Sequence, residues 1–244
     1  MLTRLLPAGD ADAIDPFDDA GQARLRELYA PPARDWLRLN FVSSVTGSVQ
    51  GPDGTSESLT NRVDRRILGV IRAHADVVLV GAQSVRAEGY RVPRRAALAI
   101  VTGSGRLDGH RIQGDVDPER ILVLCPASAR PAAAASLPGA GILVVPDRKG
   151  RLDVADVLGA VRERGFRSIV CEGGPSLASQ LAAAGLVDEI CLSTSPLATA
   201  ATLPVLGEAP FDPVPLRLET LLIDADSSLY ARWVRSSHSP STDS

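Results

Sequence analysis

From Trp36 onward the chain alternates short apolar runs with stretches of helical spacing. Trp36-Leu37-Arg38-Leu39-Asn40-Phe41-Val42-Ser43 alternates in the manner of a half-buried strand, and Arg65 to Ala73 carries Ile67, Leu68 and Ile71 at helical spacing. Val77 to Val80 is wholly apolar and predicts a buried strand; further strands are predicted at Leu98 to Val101, Ile121 to Leu124, Ile142 to Val145, Ser168 to Cys171 and Glu189 to Ser193. Between them, helices are predicted near Ala127 to Ser136, Val154 to Arg164 and Pro175 to Ala184. Strands that are apolar throughout need cover on both faces, so the pattern predicts an α/β domain with a mostly parallel sheet between helical layers. Toward the C-terminus, Pro215 to Ile223 and Ser228 to Val234 alternate around the turn signal Asp224-Ala225-Asp226-Ser227, which predicts an antiparallel hairpin completing a mixed sheet.

The same pattern divides the chain. Residues 1–35, acidic from Gly9 to Asp19 and with one helix-like patch at Ala23 to Tyr29 before Pro31-Pro32, are expected as an N-terminal extension lying on the domain. Residues 36–235 form the main domain, and the polar tail 236–244 is expected to fray. With 244 residues and 45% hydrophobic content, one large core is within reach.

Charge and composition remove several function classes. A net charge of −3, a pI near 5.7 and no Lys/Arg block leave no footprint for nucleic acid or an anionic membrane surface. No apolar stretch approaches the roughly 20 residues of a membrane span, and the N-terminus lacks a long signal core, so the expected compartment is the cytoplasm. Cys125, Cys171 and Cys191 sit in strand-like runs without C-x-x-C spacing, which predicts reduced core thiols and no metal site. His74, His110 and His238 read as surface or satisfied histidines, not as bases. No G-x-G-x-x-G, Walker lysine loop, G-x-S-x-G elbow or H-E-x-x-H pair occurs.

Chemistry is expected in the loops that leave the carboxyl ends of the strands. Cys171-Glu172-Gly173-Gly174-Pro175-Ser176-Leu177 predicts a strand, a tight turn and a helix start, read either as an ordinary connection or as an anion site beneath unpaired helical N–H groups. Glu172 enters that turn from a buried strand, where a carboxylate needs a polar partner; substrate is the expected one. Ser43 to Gly47, continuing to Asp64-Arg65, reads as a hydroxyl-rich turn; Gly81 to Tyr90 as a helix start with Ser84; Thr102 to Arg106 as a solvated turn or a phosphate loop. Arg72, at a helix end, reads as an exposed cation or as one pointing into the cleft.

Four segments in order resemble the reductase domain of the riboflavin-biosynthesis deaminase-reductases, a family with the dihydrofolate-reductase-like fold. They are Ser44-Val45-Thr46-Gly47 against S-L-D-G; Ile71-Arg72-Ala73, Ala75-Asp76-Val77 and Gly81 to Arg86 against L-R-A…A-D-A…G-x-x-T-V-R; Glu172 to Leu177 against E-G-G-P-T-L; and Gly185-Leu186-Val187-Asp188-Glu189 against G-L-V-D-E. The zinc deaminase signature of the bifunctional members is missing. The resemblance implies an NADPH-dependent oxidoreductase that delivers hydride to the ribose C1 of a ribosylaminopyrimidine phosphate, working as a homodimer. It implies NADP binding by Val42, Gly81, Ser84, Glu88, Thr102, Ser104, Gly173, Gly174, Pro175, Ser176 and Leu177, and substrate binding by Thr46, Ser56, Arg72, Arg95 and Glu172, with Glu172 the catalytic candidate. Three positions depart from the family pattern: Thr46 stands for the aspartate of S-L-D-G, Asn40 for a lysine and Ser58 for a tryptophan. Reduction of another heterocycle such as dihydrofolate, or NADP binding without catalysis, are the alternatives these departures keep open.

Overall fold

The computed structural model describes residues 1–7, 13–113, 115–148, 151–200, 203–207 and 210–236. In chain order the elements are β1 (Leu2–Leu6), β2 (Ala13–Ile14), α1 (Asp19–Leu28), β3 (Trp36–Ser44), α2 (Arg62–Ala73), β4 (Val77–Gly81), α3 (Ala82–Ala87), β5 (Ala97–Val101) and β6 (Ile121–Cys125). A 3₁₀ turn at Ala127–Ala129 leads into α4 (Arg130–Ser136), followed by β7 (Gly141–Val144), the short pair β8 (Asp147–Arg148) and β9 (Arg151–Leu152), and α5 (Val154–Glu163). The chain continues through β10 (Ser168–Cys171), α6 (Pro175–Ala183), β11 (Glu189–Ser195), β12 (Leu216–Asp224) and β13 (Leu229–Arg235).

Eleven strands form one sheet in the order β2-β1-β12-β13-β11-β3-β10-β4-β5-β6-β7. From β11 to β7 every pairing is parallel; from β11 outward to β2 every pairing is antiparallel. One face is covered by α1 and α2 through Leu25, Leu28, Ile67, Val70 and Ile71; the other by α5 and α6 through Val157, Leu158, Leu177 and Leu181. Burial on both faces is why β4, β5 and β6 read as unbroken apolar runs. Helices α1, α2 and α5 start where short polar side chains satisfy their first N–H groups: Asp18 accepts from Gly21 N, Asn61 from Asp64 N and Asp153 from Ala155 N.

Two expectations are corrected. The first residues do more than lie on the domain, because β1 pairs with β12 inside the sheet and Leu2, Leu25 and Tyr29 are core residues. And β3 is not half-buried: its polar member Arg38 is 2% exposed. The expected fraying of the tail, and His238, concern residues 237–244, which lie outside the described residues.

Arg38 can be buried because Glu189, at the start of β11, receives it together with Arg232 of β13. Arg38 Nε and Arg232 Nε lie 2.8 and 2.7 Å from Glu189 Oε1, and Trp36 Nε1 donates to Oε2 at 2.7 Å. The guanidiniums carry a second load: Arg38 donates to Tyr29 O, and Arg232 to Leu28 O and Ala30 O, so the carbonyls left over at the end of α1 are capped by cations. Burial disfavours the charged form of Glu189, but the two guanidiniums outweigh it and hold its carboxyl below the usual carboxylate range. Its neighbour Asp188 accepts from Leu37 N at 2.8 Å, so the Asp188-Glu189 pair serves the joint between β3 and β11. Glu189→Gln removes the counter-charge of two buried guanidiniums and is expected to cost about 3 kcal/mol or more in urea unfolding. The contribution of Glu189 is present above the ordinary glutamate range and is lost as pH falls through its lowered folded value, so the variant should also flatten acid unfolding. A loss under about 1 kcal/mol, at the level of an exposed pair, would show that the triad does not hold this joint.

Candidate active site

The carboxyl ends of β3, β10, β4 and β5 open into one cleft of about 1420 Å³, closed on its sides by the segment after β3, by α2, by α3 and by the start of α6. Parallel strands place their outgoing loops on one edge, which is why residues far apart in sequence meet here.

Arg72 and Glu172 dominate its charge. Arg72 Nε donates to Glu172 Oε1 at 2.7 Å and Nη2 to Oε2 at 2.6 Å, a bidentate pair in which the glutamate side chain keeps only 6% exposure. The partner expected from substrate for Glu172 is thus supplied by the protein, and Arg72 points into the cleft instead of into solvent. Its guanidinium also lies 5.9 Å from the ring centroid of buried Tyr90.

A second carboxylate, Asp64, lines the same cleft from the first turn of α2. Its position follows from Asn61, the N-cap of α2, whose amide donates to Asp224 Oδ2, Ser228 Oγ and Tyr230 OH at the hairpin turn. Burial pushes the Asp64 carboxyl above its usual range; the hydroxyls of Ser193 and Thr60 work against that shift, and Glu172 adds to it. Sequence reasoning missed Asp64, although the spacing of Asn61 and Asp64 is that of a cap and the third helical residue.

The start of α6 forms another wall. Gly174 precedes it without a side-chain cap, and Pro175 is its first residue. A Cβ on Gly174 would stand 3.2 Å from Ser84 Oγ, and one on Gly81 3.4 Å from Gly174 N, so the two glycines keep open a strip of backbone beside α6. Donors at an uncapped helix start beside bare backbone fit a phosphate chain.

The structure brings Val42, Ser56, Arg72, Gly81, Ser84, Glu88, Thr102, Ser104, Glu172, Gly174, Pro175, Ser176 and Leu177 to the cleft wall. Ser56 N donates to Glu88 Oε1 at 3.1 Å, which ties the segment after β3 to the end of α3. Three expected residues are not on the wall. Gly173, with φ +108°, turns its carbonyl to Gly81 N at 2.7 Å and so supports the strip from behind. Thr46 is exposed and engaged with Ser44 Oγ and the backbone of Thr199. Arg95 is exposed outside the cleft, where Arg91 and Arg86 take wall positions instead. Arg86 donates to Arg106 O at 2.9 Å, near Thr102 and Ser104. Of the three departures, Asn40 lines the cleft, whereas Ser58 donates to Asp53 outside it.

Residues 35–228 match the model of the family described as the RibD C-terminal domain. A 2,5-diamino-6-ribosylamino-4(3H)-pyrimidinone 5′-phosphate reductase of Methanothermobacter thermautotrophicus is 26% identical over 174 residues, covering 67% of this chain and 79% of that one. The fold is shared with a pyrimidine reductase-like protein of Corynebacterium diphtheriae, at a TM-score of 0.70 and 21% identity, covering 84% of this chain and 93% of that one. It is shared also with a deaminase/reductase of Thermotoga maritima, at 0.68 and 20%, where 83% of this chain covers 57% of the larger protein. The dihydrofolate-reductase-like mixed sheet, its helices on both faces and its C-terminal hairpin agree with the expectation from sequence. The chain belongs to the RibD C-terminal domain family, the oxidoreductases of riboflavin biosynthesis that act as pyrimidine reductases.

Proposed function

We propose that this reductase acts on an aminopyrimidine bearing a ribose 5-phosphate, of the 5-amino-6-(5-phosphoribosylamino)uracil type, with NADPH as reductant. The observation that carries the reading is a cleft in which the Arg72–Glu172 pair and Asp64 face a glycine-lined helix start. The Methanothermobacter relative is named for a substrate of this class. Three free, buried thiols accord with a reducing cytoplasm. A homodimer remains part of the proposal: β7 ends the sheet with Val144 exposed, an edge that association would cover.

The donors present fit a dinucleotide. The first turn of α6 and the strip at Gly81 and Gly174 would hold the pyrophosphate, with Ser84 and Glu88 beside it. Thr102 and Ser104 would receive the adenosine ribose, and Arg86, the cation beside them, the 2′-phosphate. When bound, NADPH supplies the hydride.

The protein's own task is the other half of the reduction. As C1 of the opened imine gains a hydride, its nitrogen must gain a proton, and burial makes Asp64 a better proton holder than an ordinary aspartate. Glu172, oriented by Arg72, is suited to accept hydrogen bonds from substrate hydroxyls. The bidentate pair fixes the carboxylate plane, so the substrate meets a prepositioned acceptor.

Three variants test this. Glu172→Gln should keep the fold and cofactor affinity yet lower turnover of the ribosylaminopyrimidine phosphate by roughly 10²-fold; near-normal turnover rejects the role. Dihydrofolate assayed alongside serves as the competing substrate. Arg86→Ala should weaken NADPH binding by about tenfold and leave NADH unchanged in a fluorescence titration, whereas equal effects on both would remove Arg86 from the 2′-phosphate. Asp64→Asn separates function from stability. A carboxyl whose folded pKa is raised contributes stability below its ordinary range and loses it as pH rises through the raised value. The amide should therefore raise the melting temperature at neutral pH while lowering kcat and removing the alkaline limb of its pH profile. Unchanged kcat with an unchanged profile would exclude Asp64 as the proton source.

A further inference from the structure

A second recess, of about 540 Å³, adjoins the cleft and shares Arg65 and Gly69 with it. Five guanidiniums line it: Arg26 from α1, Arg62, Arg65 and Arg66 from α2, and Arg94. In a chain of net charge −3 this is a local reversal of sign, and among the described residues no carboxylate lines the recess. Arg65 is paired with Glu57, but Arg26, Arg62, Arg66 and Arg94 have no carboxylate partner among the described residues.

Taken by themselves, these charges are unfavourably placed. Arg62 and Arg66 stand four residues apart on one helix, a like-charge spacing that is destabilising. With Arg65 they also crowd the first turns of α2, the positive end of its dipole, where cations are disfavoured. What holds two of them in place is Phe17, 39% exposed, with Arg62 Cζ 4.9 Å and Arg66 Cζ 5.5 Å from its ring centroid. A cation–π contact uses the face of a guanidinium and leaves its in-plane N–H groups for an acceptor. The groups are therefore positioned, uncompensated and still able to donate, which is the condition for charge-assisted bonds to an oxyanion.

We propose that this recess binds the phosphate group of a phosphorylated small molecule. Two sources share that chemistry: the 5-phosphate of a substrate seated in the cleft, crossing at Arg65 and Gly69, or a separate oligophosphate-bearing molecule. The first source rests on the function proposed above; the site itself does not.

The test uses the full chain and a triple variant, Arg62→Ser, Arg66→Ser and Arg94→Ser, all exposed positions outside the cleft wall. Tripolyphosphate is titrated calorimetrically at low ionic strength into both proteins, with thermal melting as the check on folding. Binding to the wild type and a loss of about tenfold or more in the variant are expected. In parallel, KM is measured for the phosphorylated substrate and its dephosphorylated form. A KM that rises at least fivefold for the phosphorylated form alone assigns the recess to the substrate; an unchanged KM beside lost tripolyphosphate binding assigns it to a separate ligand. Absence of tripolyphosphate binding to the wild type, with KM for both forms unmoved in the variant, overturns the proposal. The titration reads binding without turnover, so failure of the reductase reading would leave its outcome intact.

Discussion

One buried carboxylate holds the place where this sheet changes character. On one side of β11 the strands run parallel, on the other antiparallel, and Glu189 at the start of β11 binds Arg38 of β3 and Arg232 of β13 across that boundary. Two cations and one anion would be costly in a core if the excess positive charge had nowhere to go. It goes to the carbonyl end of α1, where Leu28, Tyr29 and Ala30 supply the missing acceptors. The triad thus needs α1 as much as α1 needs the triad, and the end of that helix is tied to β3 and β13.

The site inherits this rigidity through β3, which is paired with β11 on one side and β10 on the other. Glu172 follows directly from β10, its own N–H still donating to Leu79 O, so its carboxylate starts from a fixed strand end. Arg72 arrives from the last turn of α2 and Asp64 from the first turn of the same helix. One helix, capped by Asn61 and held to the hairpin turn, therefore sets both the cation that orients Glu172 and the second acid. The antiparallel hairpin, which β11 alone separates from β3 in the sheet, takes part in the site through that cap.

What could be read in advance follows the same physics. β4, β5, β6 and β10 were legible because each is apolar on both faces, and the turn before α6 because Gly173 takes a positive φ and Pro175 opens the helix. β1 was not: its partner β12 lies over 200 residues away, and its burial alternates weakly. Arg38 misled because a polar residue in a strand is normally an outward one, and only Glu189 and the α1 carbonyls make its burial tolerable. The motif Gly185 to Glu189 ran into a predicted strand but carried no hint of what its two carboxylates do: they hold a joint, and neither lines the cleft. Among site residues, those leaving strands were placed by pattern. Arg91 standing where Arg95 was expected, and the placement of Thr46 away from the cleft, depend on how loops fold back, which side-chain periodicity does not encode.

The location of Thr46 changes how the departures from the family pattern weigh. A lost carboxylate would matter most if it faced substrate, but Thr46 spends its hydroxyl on Ser44 and Thr199, tying the loop after β3 to the segment after β11. Ser58 is likewise engaged outside the cleft. Of the three, only Asn40 stands where a ligand would meet it. The cleft already holds Arg65, Arg72, Arg86 and Arg91 against Glu57, Asp64, Glu88 and Glu172. With asparagine in place of a lysine there, these charges leave the cleft little excess of cations for the anionic substrate proposed above. On the proposal above, the four guanidiniums of the recess beyond Arg65 supply positive charge that the cleft itself does not hold in excess.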